Sequence, residues 1–229
     1  VRPLYGLDLG LVPYLEALAL QRAAARLRIA GELPEDLVLL VQHPPVITLG
    51  RGFKAPHLLA TPEALERAGV ALHEVERGGD ITVHEPGQLV GYVVLDLKAH
   101  RKDLHWFLRM VELGVIDGVA ALGVHADRRP GLTGVWVQDR KLASIGVHAR
   151  DWVTWHGFAL NVTNDLSTFA HTVPCGLDGV VMTSVANERP DVPVSFAEVT
   201  RRTHEGLARA FAREPLPAPP EVLRLLRAT

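Results

Sequence analysis

The chain has 229 residues, 48% hydrophobic and 22% charged, with a formal net charge of −2. That balance belongs to a soluble globular protein with a substantial core; a general nucleic-acid binder would be basic, and no apolar run approaches the ~18 residues of a membrane span. One cysteine cannot close an internal disulfide, and the first residues carry no basic-then-apolar signal pattern, so a cytoplasmic location is expected.

A first helix is predicted over 13–30, with Pro13 at its start and Gly31 to close it. Strands follow at 36–42 and 46–51, separated by His43-Pro44-Pro45. Residues 61–69 form a compact helix, Thr61 capping it and Gly69 stopping it, and 71–76 lead into the segment RGGDITVHEPGQLVGYVVLDL at 77–97. That segment reads as two strands joined by a turn at 85–88. Asp103 caps a long helix ending near Gly123, three short strands fill 124–149, and another covers 155–162. Ser195 and Glu198 make a capping box for a helix over 195–214, and the proline-rich PLPAPP separates it from a short C-terminal helix. No Gly/Ser linker or charge block divides the chain, so a single domain over 1–229 is expected, with the Pro-linked helix at about 215–229. Uneven alternation of strands and helices favours an α+β layout, a mixed β-sheet flanked by helices.

Cys175 is the only thiol, and it stands between Pro174 and Gly176, where the chain bends. A packing cysteine normally sits inside an apolar element. Here proline fixes the approach, and glycine lets a substrate near the backbone and offers an amide for an oxyanion. A free thiol near pKa ~8.5 is only a few per cent ionised at neutral pH and needs a proton acceptor. Lysine is rare, only Lys54, Lys98, Lys102 and Lys141 among 24 basic residues, and Lys141 shares a strand face with Ala143, Ile145 and Val147. It either snorkels to water or is held desolvated in a pocket, where it could exchange a proton with the thiol. In the strand after Arg77-Gly78-Gly79, Thr82 and His84 share one face and Ile81 and Val83 the other. The eleven histidines show no zinc-site spacing, so no metal is expected.

Taken together, HPPVITLGR (43–51), the 77–97 segment, RKLASIGVHA (140–149), WHGFALNV (155–162) and PCGL (174–177) resemble the octanoyltransferase family of lipoate–protein ligase B type. The resemblance implies the mixed-sheet fold of lipoate and biotin protein ligases. It implies transfer of an octanoyl or lipoyl group from acyl carrier protein to a lysine of lipoyl domains, those of 2-oxoacid dehydrogenase E2 subunits and the glycine cleavage H protein. In that reading Cys175 carries the acyl thioester and Lys141 moves the proton. Substrate contacts fall on Arg77, Gly78, Gly79, Asp80, Ile81, Thr82, Val83 and His84, on Ser144, Ile145 and Gly146, and on Gly157, Phe158 and Ala159. No cofactor is implied, since the octanoyl-phosphopantetheine arrives on its carrier. Glu85 departs from the glycine the family usually has after the histidine. Three other readings remain open: an ATP-dependent lipoate or biotin ligase, a cysteine hydrolase using Cys175 with His84 or His171, and a non-catalytic acyl-lysine binding module.

Overall fold

The first strand is one that the sequence pattern hides. In the computed structural model, which describes residues 1–176 and 179–229 and Cys175 by its backbone alone, Pro3–Leu11 is a strand (β1). Its register slips between Asp8 and Gly10, where the Asp8 carboxylate accepts the Gly10 N–H at 2.9 Å, so simple alternation fails. Helix α1 (Tyr14–Ala30) follows and ends as expected on a left-handed Gly31. Then come β2 (Asp36–Gln42), β3 (Val46–Leu49), α2 (Pro62–Arg67), β4 (Ala71–Glu74), β5 (Ile81–His84) and β6 (Gln88–Val94). Helix α3 (Leu104–Ala120) is capped by the Asp103 carboxylate on the Trp106 N–H. It leads to β7 (Asp127–Arg129), β8 (Leu132–Val137), β9 (Arg140–Arg150) and β10 (Val153–Asn161). The chain ends with β11 (Val181–Met182), α4 (Val185–Glu188), α5 (Phe196–Ala210), β12 (Glu214–Pro217) and α6 (Pro220–Arg227).

Among the described residues the strands form two sheets, the larger of them the expected mixed sheet flanked by helices. The larger runs β12-β1-β2-β6-β10-β9-β8-β7, with β11 beside the start of β9, and it is mixed, as β1 is parallel to both β2 and β12. The smaller is β4-β3-β5. The two strands of the 77–97 segment therefore do not pair with each other; the turn between them carries the chain from the small sheet to the centre of the large one. The proline-rich stretch also differs from expectation. Part of it is the edge strand β12, bonded on one side to β1, the position in a sheet that tolerates proline.

Period-two alternation builds the core on both faces of the large sheet. Val38 and Leu40 of β2, with Leu89 and Val93 of β6, pack under α3 and α5. Leu37, Leu39 and Val41, with Val90, Tyr92 and Val94, pack under α1 and α6. A third cluster, Ile47, Leu49, Leu65, Ile81 and Val83, holds the small sheet.

Candidate active site

Between β5 and the middle strands of the large sheet lies a cavity of about 220 Å3. Arg77, Gly79, Asp80, Ile81, Thr82 and His84 supply one wall; Lys141, Ser144, Ile145 and Gly146 of β9 and His156, Gly157, Phe158 and Ala159 of β10 supply the other. Tyr14, Val90 and Tyr92 complete it, together with Gly131, Leu132 and Thr133. Most residues expected at a substrate site thus meet around one space. Two do not line it: Val83 packs in the core of the small sheet, and Gly78 donates its N–H to the Val147 carbonyl at 2.8 Å.

Lys141 does not snorkel. Its side chain is 1% exposed, with Nζ 5.2 Å from the centre of the Trp136 ring, a cation–π contact. Gly134 on β8 makes room for it: a Cβ there would stand 2.8 Å from Lys141 Cε. The expected alternation of Lys141 with Ala143 is broken, because Trp136 pairs with Lys141 while Val135 pairs with Ala143, leaving one extra residue on β9. The bulge lets Lys141 and Ser144 line the same cavity. Beneath it, the buried Glu112 of α3 accepts the Gly134 N–H at 3.0 Å and pairs with Arg109 and Arg128 at 2.8 and 3.1 Å.

Pro174–Gly176 forms a short 3-10 turn. The Cys175 side chain and Leu177, both part of the Pro-Cys-Gly-Leu motif, lie outside the described residues. The backbone fixes the neighbourhood. Before the cysteine, the Val173 N–H bonds the His57 carbonyl at 2.8 Å. After it, Gly176 (φ +66°) is packed so tightly that a Cβ would lie 2.6 Å from Asp80 Oδ2. Further on, Met182 pairs with Lys141, and the Thr183 N–H bonds the Lys141 carbonyl at 2.9 Å. The cavity wall is therefore met at Asp80 by Gly176 and at Lys141 by Met182 and Thr183, while the residue before the turn is held by His57. The Gly176 amide, expected to serve an oxyanion, is instead bonded to the Val173 carbonyl at 3.0 Å. Thr82 Oγ1 is buried in the wall with no hydrogen-bond partner among the described residues. His171 closes another 3-10 turn, its carbonyl taking the Leu59 N–H, and it does not line the cavity.

The part of the wall around Tyr14, Tyr92 and His84 is polar but uncharged. Gln88 donates its amide to the Val83 carbonyl and Asn161 Oδ1, so its oxygen accepts the His84 Nδ1–H at 2.9 Å. Burial, and then His43, holds His84 well below the ordinary imidazole range. His43 donates from Nδ1 to the Val12 carbonyl at 2.8 Å and accepts the Tyr92 hydroxyl at Nε2, 2.7 Å; burial lowers it to about 4. Burial also raises the Tyr14 hydroxyl to about 12. His84 is thus a weak base in a closed network, which disfavours the hydrolase role weighed for it. His156 holds an unusual φ of +59° inside β10, where its N–H bonds Gln21 Oε1 at 2.9 Å. Its Nε2 stands 3.7 Å from Glu76, whose carboxyl is held far below the usual range by His156, Arg22 and Trp155.

Two arrangements shape the approach to this wall. Arg77 donates to the Thr48 carbonyl at 2.7 Å and its hydroxyl at 2.9 Å, and the Gly50 N–H bonds the Asp80 carbonyl at 2.8 Å, stitching the Arg-Gly-Gly-Asp loop to β3 and its continuation. Glu85 is buried and accepts from Asn164 Nδ2 at 2.8 Å, so the residue that departs from the family pattern closes the turn between the sheets with a defined bond. Sequence reasoning missed His57 and Glu112. Neither lies in a motif, and only long-range contacts reveal them.

The family model described as the lipoyl protein ligase A/B catalytic domain matches residues 13–208. An octanoyltransferase of Gloeobacter violaceus is 47% identical over 198 residues, 83% of this chain and 87% of that protein. Another, of Solibacter usitatus, is 47% identical over 210 residues, 92% and 94% of the two chains. Among solved structures, a lipoate-protein ligase A bound with ATP superposes with a TM-score of 0.76 at 17% identity, over 99% of this chain and 94% of its own. A bipartite lipoate protein ligase of Thermoplasma acidophilum, studied with its E2 lipoyl domain, gives 0.70 at 17% identity, over 100% and 92%.

Proposed function

The chain belongs to the lipoyl protein ligase A/B catalytic family, and from that premise we propose that it moves an octanoyl group from acyl carrier protein to a lipoyl-domain lysine through a thioester on Cys175. Its activity is octanoyl transfer in lipoate biosynthesis, an acyltransferase reaction. Lipoyl domains are the acceptors; the E2 subunits and the glycine cleavage H protein are the particular ones we propose. The observation that carries the covalent route is the buried Lys141 in a cavity whose Asp80 wall packs against the backbone of the Cys175 turn.

In the first half-reaction Lys141 Nζ takes the Cys175 proton and the thiolate attacks the octanoyl carbonyl. The Thr82 hydroxyl, otherwise unengaged among the described residues and part of the cavity wall, donates to the carbonyl oxygen as it gains charge. The tetrahedral species collapses, the bond to the phosphopantetheine sulfur breaks, and Lys141 returns the proton to that leaving thiolate. In the second half, the acceptor amine attacks the acyl-enzyme carbonyl and gives its proton to Lys141; the bond to the Cys175 sulfur breaks as the amide forms, and Lys141 passes the proton to the departing Cys175 thiolate, which regenerates the thiol. One thioester replaces another at little cost, and the amide step is downhill, so neither ATP nor another cofactor enters. Apolar wall residues such as Ile81, Val90, Ile145 and Phe158 bury the chain, each methylene contributing ~0.8 kcal/mol, enough to select length. We place the reaction in the cytoplasm; among the described residues no helix is long and apolar enough to cross a membrane.

Intact-mass measurement after mixing with octanoyl-carrier protein should show one octanoyl group, removable by hydroxylamine and lost in Cys175→Ala. Lys141→Ala should fold and transfer at least about 100-fold more slowly, the low end of general acid–base contributions. An adduct persisting in Cys175→Ala, or activity on free octanoate and ATP that survives it, would overturn the route.

A further inference from the structure

We propose that His57 and Asp80 form a clamp that fixes the orientation of the Cys175 turn, which makes them positioning residues for acyl transfer. The inference rests on Cys175 as the acyl carrier. His57 Nδ1 donates to Asp80 Oδ2 at 2.6 Å, and the two side chains are only 19% and 11% exposed. Each partner is separately anchored. The Asp80 carbonyl takes the Gly50 N–H at 2.8 Å, tying it to the end of β3. His57 belongs to a short ribbon in which Leu58 bridges Thr172, the Leu59 N–H bonds the His171 carbonyl at 2.9 Å, and the Val173 N–H bonds the His57 carbonyl.

The clamp grips the turn on both sides of the thiol residue. Val173, two residues before Cys175, hangs from the His57 backbone; Gly176, one residue after it, rests on the His57 ring and the Asp80 carboxylate. A Cβ on Gly176 would come within 2.8 Å of His57 Cε1 and 2.9 Å of Nδ1. Glycine is thus required there by the pair as well as by φ. The bond has a second consequence. Asp80 lines the cavity, and donation from His57 holds the carboxylate oxygen nearest the turn in one position. Because the Nδ1–H is committed to Asp80, what the clamp needs from residue 57 is a donor at that point, not a titrating ring.

That distinction sets the test. Single-turnover loading of octanoyl thioester should slow about tenfold or more in His57→Leu, as misplaced groups lose rate, while half-saturation moves less than about threefold. His57→Asn, whose amide N–H replaces Nδ1–H, should restore loading to within about threefold of wild type. Asp80→Ala removes the acceptor and serves if His57→Leu does not fold. Wild-type loading in His57→Leu, or in Asp80→Ala, would overturn the clamp; His57→Asn as slow as His57→Leu would overturn it too, since the ring would then be needed for its proton. Iodoacetamide separates this from the reading beneath it, because Cys175 is the chain's one thiol. If the wild-type protein never loads an acyl group, the covalent route fails, yet the alkylation rate still reports the clamp: altered in His57→Leu and restored in His57→Asn supports it, unchanged rejects it.

Discussion

Gly91 shows how a single missing side chain shapes the cavity. It pairs with Phe158 across β6 and β10, and a methyl group at Gly91 would overlap the Phe158 ring. Gly91 itself lies behind the wall, whereas Phe158 is part of it. Gly91→Ala should therefore push the ring toward the acyl space: loading of octanoyl thioester is expected to fall by about tenfold relative to butanoyl, the equivalent of one to two methylenes of lost burial at ~0.8 kcal/mol each. Equal loss for both chains would place the disturbance elsewhere. At this scale the sequence was informative where chemistry is local. Thr82 and His84 share a face as strand alternation demands, and the rarity of lysine singled out Lys141. His57 and Glu112 were not legible, because each depends on a partner many residues distant; the commitment of the Gly176 amide to Val173 was not legible either, because it depends on the 3-10 turn the chain adopts there.

Helices α3 and α5 cross more closely than their hydrophobic patterns suggest. Gly118 faces Thr203, Gly114 faces Leu207, and Gly206 faces the Gly114 carbonyl, with no space for a Cβ at any of the three. Their approach also brings α3 down on β8, where Glu112 holds the Gly134 N–H beside Lys141. Gly118→Ala places a methyl 2.7 Å from Thr203 Cα, a backbone atom that cannot rotate away. It should destabilise the fold by about 1–3 kcal/mol, the range of overpacking, against the gain in helix propensity that alanine normally brings. Urea unfolding checks the sign; a more stable variant would mean that the helices separate without cost. Most elements were legible from caps and periodicity: Gly31 ends α1, Thr61 and Asp103 begin α2 and α3, and Ser195 begins α5. The failures share one cause. β1, the β9 bulge and β12 are defined by neighbouring strands, and their own residues carry interrupted patterns or proline.

Across the whole molecule, buried and half-buried histidines join separate elements of the fold. His43 links the end of β1 to Tyr92 of β6, His84 links β5 to Gln88, and His204 links α5 to the Leu4 carbonyl at 2.9 Å. Burial lowers all three, as it does His156 and His148. A histidine lowered on folding leaves the unfolded chain to take up the proton first, so its contribution is intact above the unfolded value of about 6.5 and is lost as pH falls below it. The lowered carboxyls, Asp36, Glu76 and Glu188 among them, act in the same direction but only as pH approaches their unfolded values near 4. The interval from about pH 6.5 to 5 therefore belongs to the histidines. For His43 alone, folded at about 4, linkage gives a loss of about 2 kcal/mol between pH ~7.5 and ~5. Urea unfolding at those two pH values should show at least that fall in the wild-type chain. His43→Gln keeps an acceptor for the Tyr92 hydroxyl and cannot titrate; whatever its stability at pH ~7.5, its fall to pH ~5 should be smaller by about 2 kcal/mol. An identical fall in both would mean that His43 takes up its proton in the folded chain, and the neutral wall of the cavity would have to be redrawn with a charge in it.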